Sequence, residues 1–272
     1  MSHFALILPA AGRSTRFRDL NNKKQFMMMD DRAVWLHAVN PFLQLDEVKQ
    51  IILAISPEDR EDFEIRFRAN VTILGITVVD GGAERCDTIR NAIPFIDPAC
   101  DYVAVHDAVR PCVPVPKILD VFRVAKKTGA ACLAIPVTDT LKRVEETPGG
   151  AAGRKEKPSL DNLIPDESSG AGVFGDGRIL ETVDRRGLWQ MQTPQVFRRD
   201  LFEKVYAGLN RENSREATDD AMLFERAGIP VYVVEGSPRN IKITTREDLQ
   251  LAAAILKSAP RQKSNIFHPF AD

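Results

Sequence analysis

The sequence predicts a doubly wound α/β fold: a mostly parallel sheet, helices on both faces, and a projecting two-stranded arm. Two observations carry this. Short apolar runs alternate with stretches whose apolar residues recur at helical spacing, the pattern of successive βα units. The alternation then breaks at residues 146–178, where seven glycines and three prolines stand between two strand-like runs.

Residues 4–8 form a fully apolar run and read as the first strand, not as a signal peptide. Trp35, Ala38, Val39 and Phe42 follow helical spacing. Residues 50–55 are the second strand, and Ser56-Pro57 reads as a helix start with serine as N-cap. Residues 77–79 are a third strand, followed by a helix marked by Ile89, Ala92, Ile93 and Ile96. Residues 102–105 are a fourth strand, and Ile118, Phe122 and Ala125 share one helix face. Residues 131–135 are a fifth strand. Ligands bind outside the carboxyl ends of such strands, so the loops after Leu8, Val79, Val105 and Ile135 are the places to look.

Beyond Arg143 the runs 140–144 and 178–183 are predicted to pair as an arm spanning 138–186. The segment 146–178 has the composition of a flexible tip. A linker between two domains is the other reading. Few strands follow with which to build a second sheet, so one domain over 1–258 is expected. Regular structure resumes at residues 192–197. Helices are expected at 200–209 and 219–227, the second with Thr218 as N-cap, and a strand at 231–234. Residues 240–243 read as a short strand or turn. A last helix begins at Thr245, where Thr-x-x-Asp resembles a capping box. Leu249, Ala252, Ala253 and Leu256 are its buried face, and 259–272 reads as a frayed tail.

Composition limits the function. Thirty-seven basic residues oppose 38 acidic ones, for a formal charge of −1. No overall basic field is available for a nucleic-acid backbone, so no nucleic-acid partner is expected. Hydrophobic residues at 44% and charged residues at 28% exclude a mostly disordered or fibrous chain. No apolar run reaches about 18 residues, so no membrane span is expected. Cys86, Cys100, Cys112 and Cys132 form no Cys-x-x-Cys pair, which suggests neither zinc nor a disulfide framework. A reducing, cytoplasmic setting fits.

Several segments can carry chemistry. L-P-A-A-G-R-S-T-R-F at 8–17 leads to K-K-Q-F at 23–26. The small residues Ala10, Ala11 and Gly12 let a ligand approach the backbone, and Arg16 and Lys24 add positive charge suited to a triphosphate. The loop is neither a Walker loop nor a dinucleotide fingerprint, and a turn with solvated charges has the same composition. Gly81-Gly82 ends a strand before a helix, with Thr88 able to add a hydroxyl for a base or sugar; a plain tight turn is the alternative. V-H-D-A-V-R-P at 105–111 puts Asp107 at the end of a central strand. A carboxylate there needs a cation, and Mg²⁺ is the natural partner beside a phosphate. Arg110 can pair with Asp107 or reach substrate. His106 reads as a packed core histidine. P-V-T-D-T-L-K at 136–142, V-D-R-R-G-L-W at 183–189, Q-T-P-Q at 192–195, A-T-D-D-A at 217–221 and R-N-I-K at 239–242 are individually bland.

Taken in this order, the segments resemble the 2-C-methyl-D-erythritol 4-phosphate cytidylyltransferases of the non-mevalonate isoprenoid pathway. The resemblance runs from Leu8 to about Leu256. P-A-A-G, an Arg and K-Q-aromatic are shared with many sugar-nucleotide pyrophosphorylases; V-H-D-A-x-R-P, L-W-x-x-Q-T-P-Q-x-F and N-I-K are more specific. The resemblance implies a Rossmann-like nucleotidyltransferase fold and a homodimer through the arm. It also implies transfer of CMP from CTP to methylerythritol phosphate with Mg²⁺. Arg16, Lys24, Arg185 and Lys242 match catalytic positions. Ala10, Ala11, Gly12, Gly82 and Thr88 match the CTP-binding backbone and loop, and Asp107 the Mg²⁺ carboxylate. Arg110, Thr140, Arg185, Thr193, Thr218, Asp219 and Lys242 match acceptor contacts, Thr140 and Arg185 reaching across the dimer.

This chain departs from the family pattern at Ser14 and Thr15, at Lys23 where proline is usual, at Ala83, at Thr88 where serine is usual, and in a longer arm. Four rivals are a ribitol-5-phosphate cytidylyltransferase, a UTP-dependent transferase, a non-catalytic nucleotide-binding regulator, and two separate domains joined by 146–178. The regulator would be expected to lack Arg16, Lys24 or Asp107, and all three are present.

Overall fold

Every residue of the first strand from Phe4 to Leu8 is apolar and none reaches solvent. Such a segment must lie inside a sheet covered on both faces. The computed structural model, which describes residues 2–12, 23–145, 178–210, 214 and 216–258, places it there. Its strands are β1 (Phe4–Ala10), β2 (Met28–Met29), β3 (Arg32–Ala33), β4 (Val48–Ile55), β5 (Thr77–Asp80), β6 (Tyr102–Val105), β7 (Ala130–Pro136), β8 (Leu141–Val144), β9 (Ile179–Val183), β10 (Trp189–Arg198) and β11 (Tyr232–Glu235). The helices are α1 (Val34–Leu43), α2 (Arg60–Leu74), α3 (Arg85–Ala92), α4 (Val115–Thr128), α5 (Arg199–Ala207), α6 (Asp220–Arg226) and α7 (Arg246–Ser258).

The chain divides into two compact units, Met1–Ile135 with Gln190–Asp272, and Pro136–Trp189. In the first, seven strands form a sheet of order β11-β7-β10-β6-β1-β4-β5. β1 runs parallel to both β4 and β6, and β5 runs parallel to β4. Alternate residues of β1 point to opposite faces. Phe4, Leu6 and Leu8 pack with Trp35 and Phe42 of α1, Phe63 and Phe67 of α2, and Phe122 of α4. Ala5 and Ile7 share a second cluster with Ile89 of α3, Phe202 and Tyr206 of α5, and Phe224 of α6. The mostly parallel α/β architecture expected from the sequence is therefore present. β10 is the exception: it runs antiparallel to β6, a direction that strand composition does not encode.

Two local expectations are corrected, and a third is narrowed. Ser56 makes no side-chain cap; a 3₁₀ turn at Pro57–Asp59 precedes α2. The N-cap of α6 is Asp219, whose carboxylate accepts from the Met222 N–H at 3.0 Å, while the Thr218 hydroxyl lies 3.9 Å from the Met222 sulfur. Of the two readings of residues 240–243, a short strand or a turn, the strand is absent, and the Asn240 N–H closes a turn on the Ser237 carbonyl at 3.0 Å. The Thr245 box is present: Asp248 accepts from the Thr245 N–H at 2.8 Å, and Thr245 Oγ1 accepts from the Asp248 N–H at 3.2 Å.

The second unit is the arm base. β8 and β9 pair antiparallel, with Leu141 opposite Val183, and the Val137 N–H donates to the Leu188 carbonyl at 3.0 Å. The expected tip at 146–178 lies outside the described residues except for Arg178, and the tail 259–272 lies outside them entirely.

Candidate active site

The loops leaving β1, β5 and β6 at their carboxyl ends surround a cavity of about 200 Å³. Ala10, Ala11 and Gly12 line it from β1 and the turn after it, Gly82 from the second loop, Thr88 from the first turn of α3 and Asp107 from the third loop, with Lys24 and Lys242 at its wall. Eight residues separated widely in sequence thus meet where the topology predicts a ligand.

Close packing explains the glycines of the second loop. A Cβ on Gly82 would lie 2.4 Å from the Asp87 Cβ, and one on Gly81 would lie 2.4 Å from the Ala11 Cβ. The loop then turns directly into α3, whose start is fixed by a reciprocal box between Glu84 and Asp87. Thr88 is buried. Its hydroxyl accepts from the Gly82 N–H at 3.1 Å and lies 3.1 Å from the Glu84 carbonyl, to which it donates. It therefore shapes the loop.

Lys24 is placed by its two neighbours. Gln25 is buried, and its Nε2 donates to the Ala10 carbonyl at 2.6 Å. On the other side Lys23 Nζ pairs with Asp59 at 2.6 Å. Lys23, at the position where the resemblance leads one to expect proline, supplies this ion pair. Phe26 then anchors the turn between Phe63 and Phe67. Arg16 lies outside the described residues.

Asp107 gathers cations. Its Oδ2 lies 2.9 Å from Lys242 Nζ and 3.3 Å from Arg110 Nε. Burial alone would raise its pKa, but Lys242, then Arg85 and Arg110, outweigh burial and hold the carboxyl well below the usual carboxylate range. Arg110 is itself buried and donates to the carbonyls of Asn240 at 2.8 Å and Met191 at 3.4 Å. It links the Asp107 loop to the segment that carries Lys242.

Beneath Asp107 lies a closed polar chain. The Asp107 N–H donates to Thr193 Oγ1 at 3.0 Å, Thr193 Oγ1 lies 3.0 Å from His106 Nδ1, and His106 Nε2 lies 3.0 Å from the Arg110 carbonyl. A carbonyl only accepts, so Nε2 carries the hydrogen and Nδ1 accepts from Thr193. His106 is the packed neutral histidine that the sequence suggested. Burial lowers its pKa, against the opposing pull of the Arg110 carbonyl and Asp107, to about 4.

The unfolded chain takes up this proton near 6.5 and the native state only near 4. Between those values the unfolded state binds more protons, so native stability falls as pH falls through this window. The loss attributable to His106 is about 3 kcal/mol. Urea unfolding across this range should show it, and His106→Gln should flatten that part of the curve. Parallel curves for the two proteins would exclude His106 as the source.

Thr193, Thr218 and Asp219 of the first unit are not among the residues that line the cavity. Thr193 sits under the cavity wall with its hydroxyl engaged as above. Thr218 is exposed, and Asp219 caps α6 and accepts from Gln195 Nε2 at 2.8 Å. Thr140 and Arg185 belong to the arm unit; both are exposed, and the Arg185 guanidinium donates to the Thr138 carbonyl. Sequence reasoning missed Gln25 and Arg85, which line the cavity, and the buried Gln192, Gln195 and Asn240. Position offered one clue: Arg85 follows the glycine pair at the start of a predicted helix. Among the described residues no group of three or more His, Cys, Asp or Glu side chains is arranged to hold a metal alone.

Comparison with known proteins identifies the family. The family profile for 2-C-methyl-D-erythritol 4-phosphate cytidylyltransferase (IspD) matches residues 4–163 and 172–258. A protein of that name from Rhodopirellula baltica is 37% identical over 263 residues, covering 93% of this chain and 94% of the relative. One from Bacillus cereus is 35% identical over 254 residues, covering 93% and 98%. The crystal structure of the Francisella tularensis enzyme superposes with a TM-score of 0.68 at 26% identity, covering 93% of this chain and 100% of that one. The shared fold and matches along nearly the whole length lead to one assignment: the chain belongs to the 2-C-methyl-D-erythritol 4-phosphate cytidylyltransferase family.

Proposed function

We propose that the protein transfers CMP from CTP to 2-C-methyl-D-erythritol 4-phosphate, giving 4-diphosphocytidyl-2-C-methyl-D-erythritol and pyrophosphate. The supporting observation is the meeting of Ala10–Gly12, Lys24, Gly82, Thr88, Asp107 and Lys242 around one cavity, in a chain of this family. An acceptor phosphate oxygen forms a bond to the α-phosphorus of CTP as the bond to the pyrophosphate oxygen breaks. The acceptor phosphate has its second pKa near ~6 and is largely ionised at neutral pH, so no general base is required. His106 is no candidate for one, since both ring nitrogens are engaged beneath the site.

Nucleophile and electrophile are both anionic, so the protein's task is to neutralise charge and align the partners. The small residues at 10–12 and the glycine pair let the nucleotide lie along the backbone. Lys24 and Arg16 neutralise the triphosphate, and Lys242 and Arg185 hold the acceptor phosphate. Arg110 contacts the acceptor side, Thr193 positions Asp107, and Thr218 and Asp219 form the turn beside it. Asp107 fits Mg²⁺, which commonly takes one or two protein carboxylates and completes its shell with phosphate and water. When bound, the ion supplies further neutralisation of the triphosphate.

The arm is proposed to form a homodimer that carries Thr140 and Arg185 to a second copy. Val144, Ile179, Leu180 and Leu188 of the arm unit are exposed, an apolar set suited to such a contact. The proposed organisation is one catalytic domain over 1–258 with the arm at 138–186, working in the cytoplasm. No described helix is long and apolar enough to cross a membrane.

Pyrophosphate release from CTP and Mg²⁺ tests the reading, with 2-C-methyl-D-erythritol 4-phosphate and D-ribitol 5-phosphate as parallel acceptors. Release with the first alone is expected. Release with ribitol phosphate alone would reassign the acceptor, and release with neither, alongside CTP binding, would remove the catalytic reading.

A further inference from the structure

An acid that the reaction above does not use is buried behind the nucleotide loop. Asp220, the first residue of α6, is removed from solvent. Its carboxylate accepts from Arg85 Nη2 at 2.6 Å and from the Tyr206 hydroxyl at 2.5 Å. Arg85 lines the cavity beside Gly82 and Glu84. Its other terminal nitrogen, Nη1, is buried with no hydrogen-bond partner among the described residues. A buried N–H donor without a partner is costly, while the rest of the Arg85 side chain keeps about a quarter of its surface exposed.

Gln195 completes the frame. Its Oε1 accepts from the N–H groups of Asp220 at 3.0 Å and Ala221 at 3.1 Å, while its Nε2 donates to Asp219. Gln195 is paired with Val105 in the sheet, two residues before Asp107. One strand thus fixes both the Asp107 loop, through Thr193, and the acid behind Arg85. A buried ion pair is a weak source of stability, because desolvation offsets the attraction. What this pair does provide is a guanidinium held in one place on the cavity wall.

We infer that Asp220 is a positioning residue for nucleotide binding: it holds the partly exposed Arg85 side chain at the cavity wall, where its cationic group faces the nucleotide. The inference rests on CTP being the nucleotide.

The test is calorimetric CTP binding with Mg²⁺, together with KM for both substrates. The proteins are wild type, Asp220→Asn, Arg85→Gln and the double variant. Asp220→Asn is expected to weaken CTP binding about tenfold and to leave the acceptor KM within about twofold. The double variant should bind CTP no more weakly than Arg85→Gln alone, because one residue acts through the other. It removes both buried charges together, so it carries the test if Asp220→Asn does not fold. Wild-type CTP affinity in either Asp220-substituted protein would overturn the inference. So would additive losses in the double variant, which would leave Asp220 with a role in folding alone. A wild-type protein that bound no CTP would remove the CTP reading itself, and the inference with it.

Discussion

Replacing Lys24 by alanine is expected to lower kcat for CMP transfer by about 10²-fold, ~3 kcal/mol of lost transition-state stabilisation, with little change in thermal unfolding. Transfer brings two anions together and moves charge onto the departing pyrophosphate. An ammonium held at the cavity wall is worth more as that charge develops than in the ground state. Lys24 is held there by its neighbours, through Gln25 on the Ala10 carbonyl and Lys23 on Asp59. Those anchors remain when only Lys24 is truncated, so stability should stay near wild type. Lys24→Arg keeps the charge and should recover part of the rate. A wild-type kcat at saturating substrate in Lys24→Ala would remove the assigned role. A rise confined to the KM for CTP would make Lys24 a ground-state contact.

The sheet was readable because its inner strands are buried on both faces and so appear as unbroken apolar runs. β6, at Tyr102–Val105, emerges with the bounds the sequence suggested. What sequence could not show was how polar residues are used inside. Q-T-P-Q at 192–195 is bland as a local pattern, yet it lies in β10 with Gln192, Thr193 and Gln195 buried. Gln192 Nε2 donates to the Ser237 carbonyl at 2.8 Å, and Asn240 Nδ2 donates to the Thr193 carbonyl at 2.8 Å. These partners lie more than forty positions away, beyond any local pattern. The N-cap of α6 shows the same limit at short range. Thr218 and Asp219 are both good caps by type, and only side-chain direction selects Asp219. The cavity residues were legible only as an ordered set, because each segment alone also reads as a turn, a cap or a solvated charge. Arg85 escaped notice because an arginine at a helix start is ordinary until its burial beside Asp220 is known.

Asp107→Asn is expected to abolish most activity, by more than about 10²-fold, and also to destabilise the fold by about 3 kcal/mol. This double effect follows from its surroundings. Lys242 Nζ and Arg110 Nε both approach Oδ2, and Arg110 is buried. Neutralising the carboxylate leaves these cations, with Arg85 nearby, without their common anion. Lys242 and the proposed Mg²⁺ contact then lose the group that orders them. The pH dependence separates this effect from that of His106. The Asp107 carboxyl is depressed in the fold below its unfolded value of 3.8, so its stabilisation is present above that value and is lost as pH falls through and below it. His106 acts higher, between 6.5 and about 4. Acid unfolding of the wild type should therefore fall in two successive stages. Asp107→Asn should remove the lower stage and His106→Gln the upper one. If Asp107→Asn kept wild-type stability at neutral pH and the same acid limb, the carboxylate would not be the anion that holds Lys242 and Arg110 together.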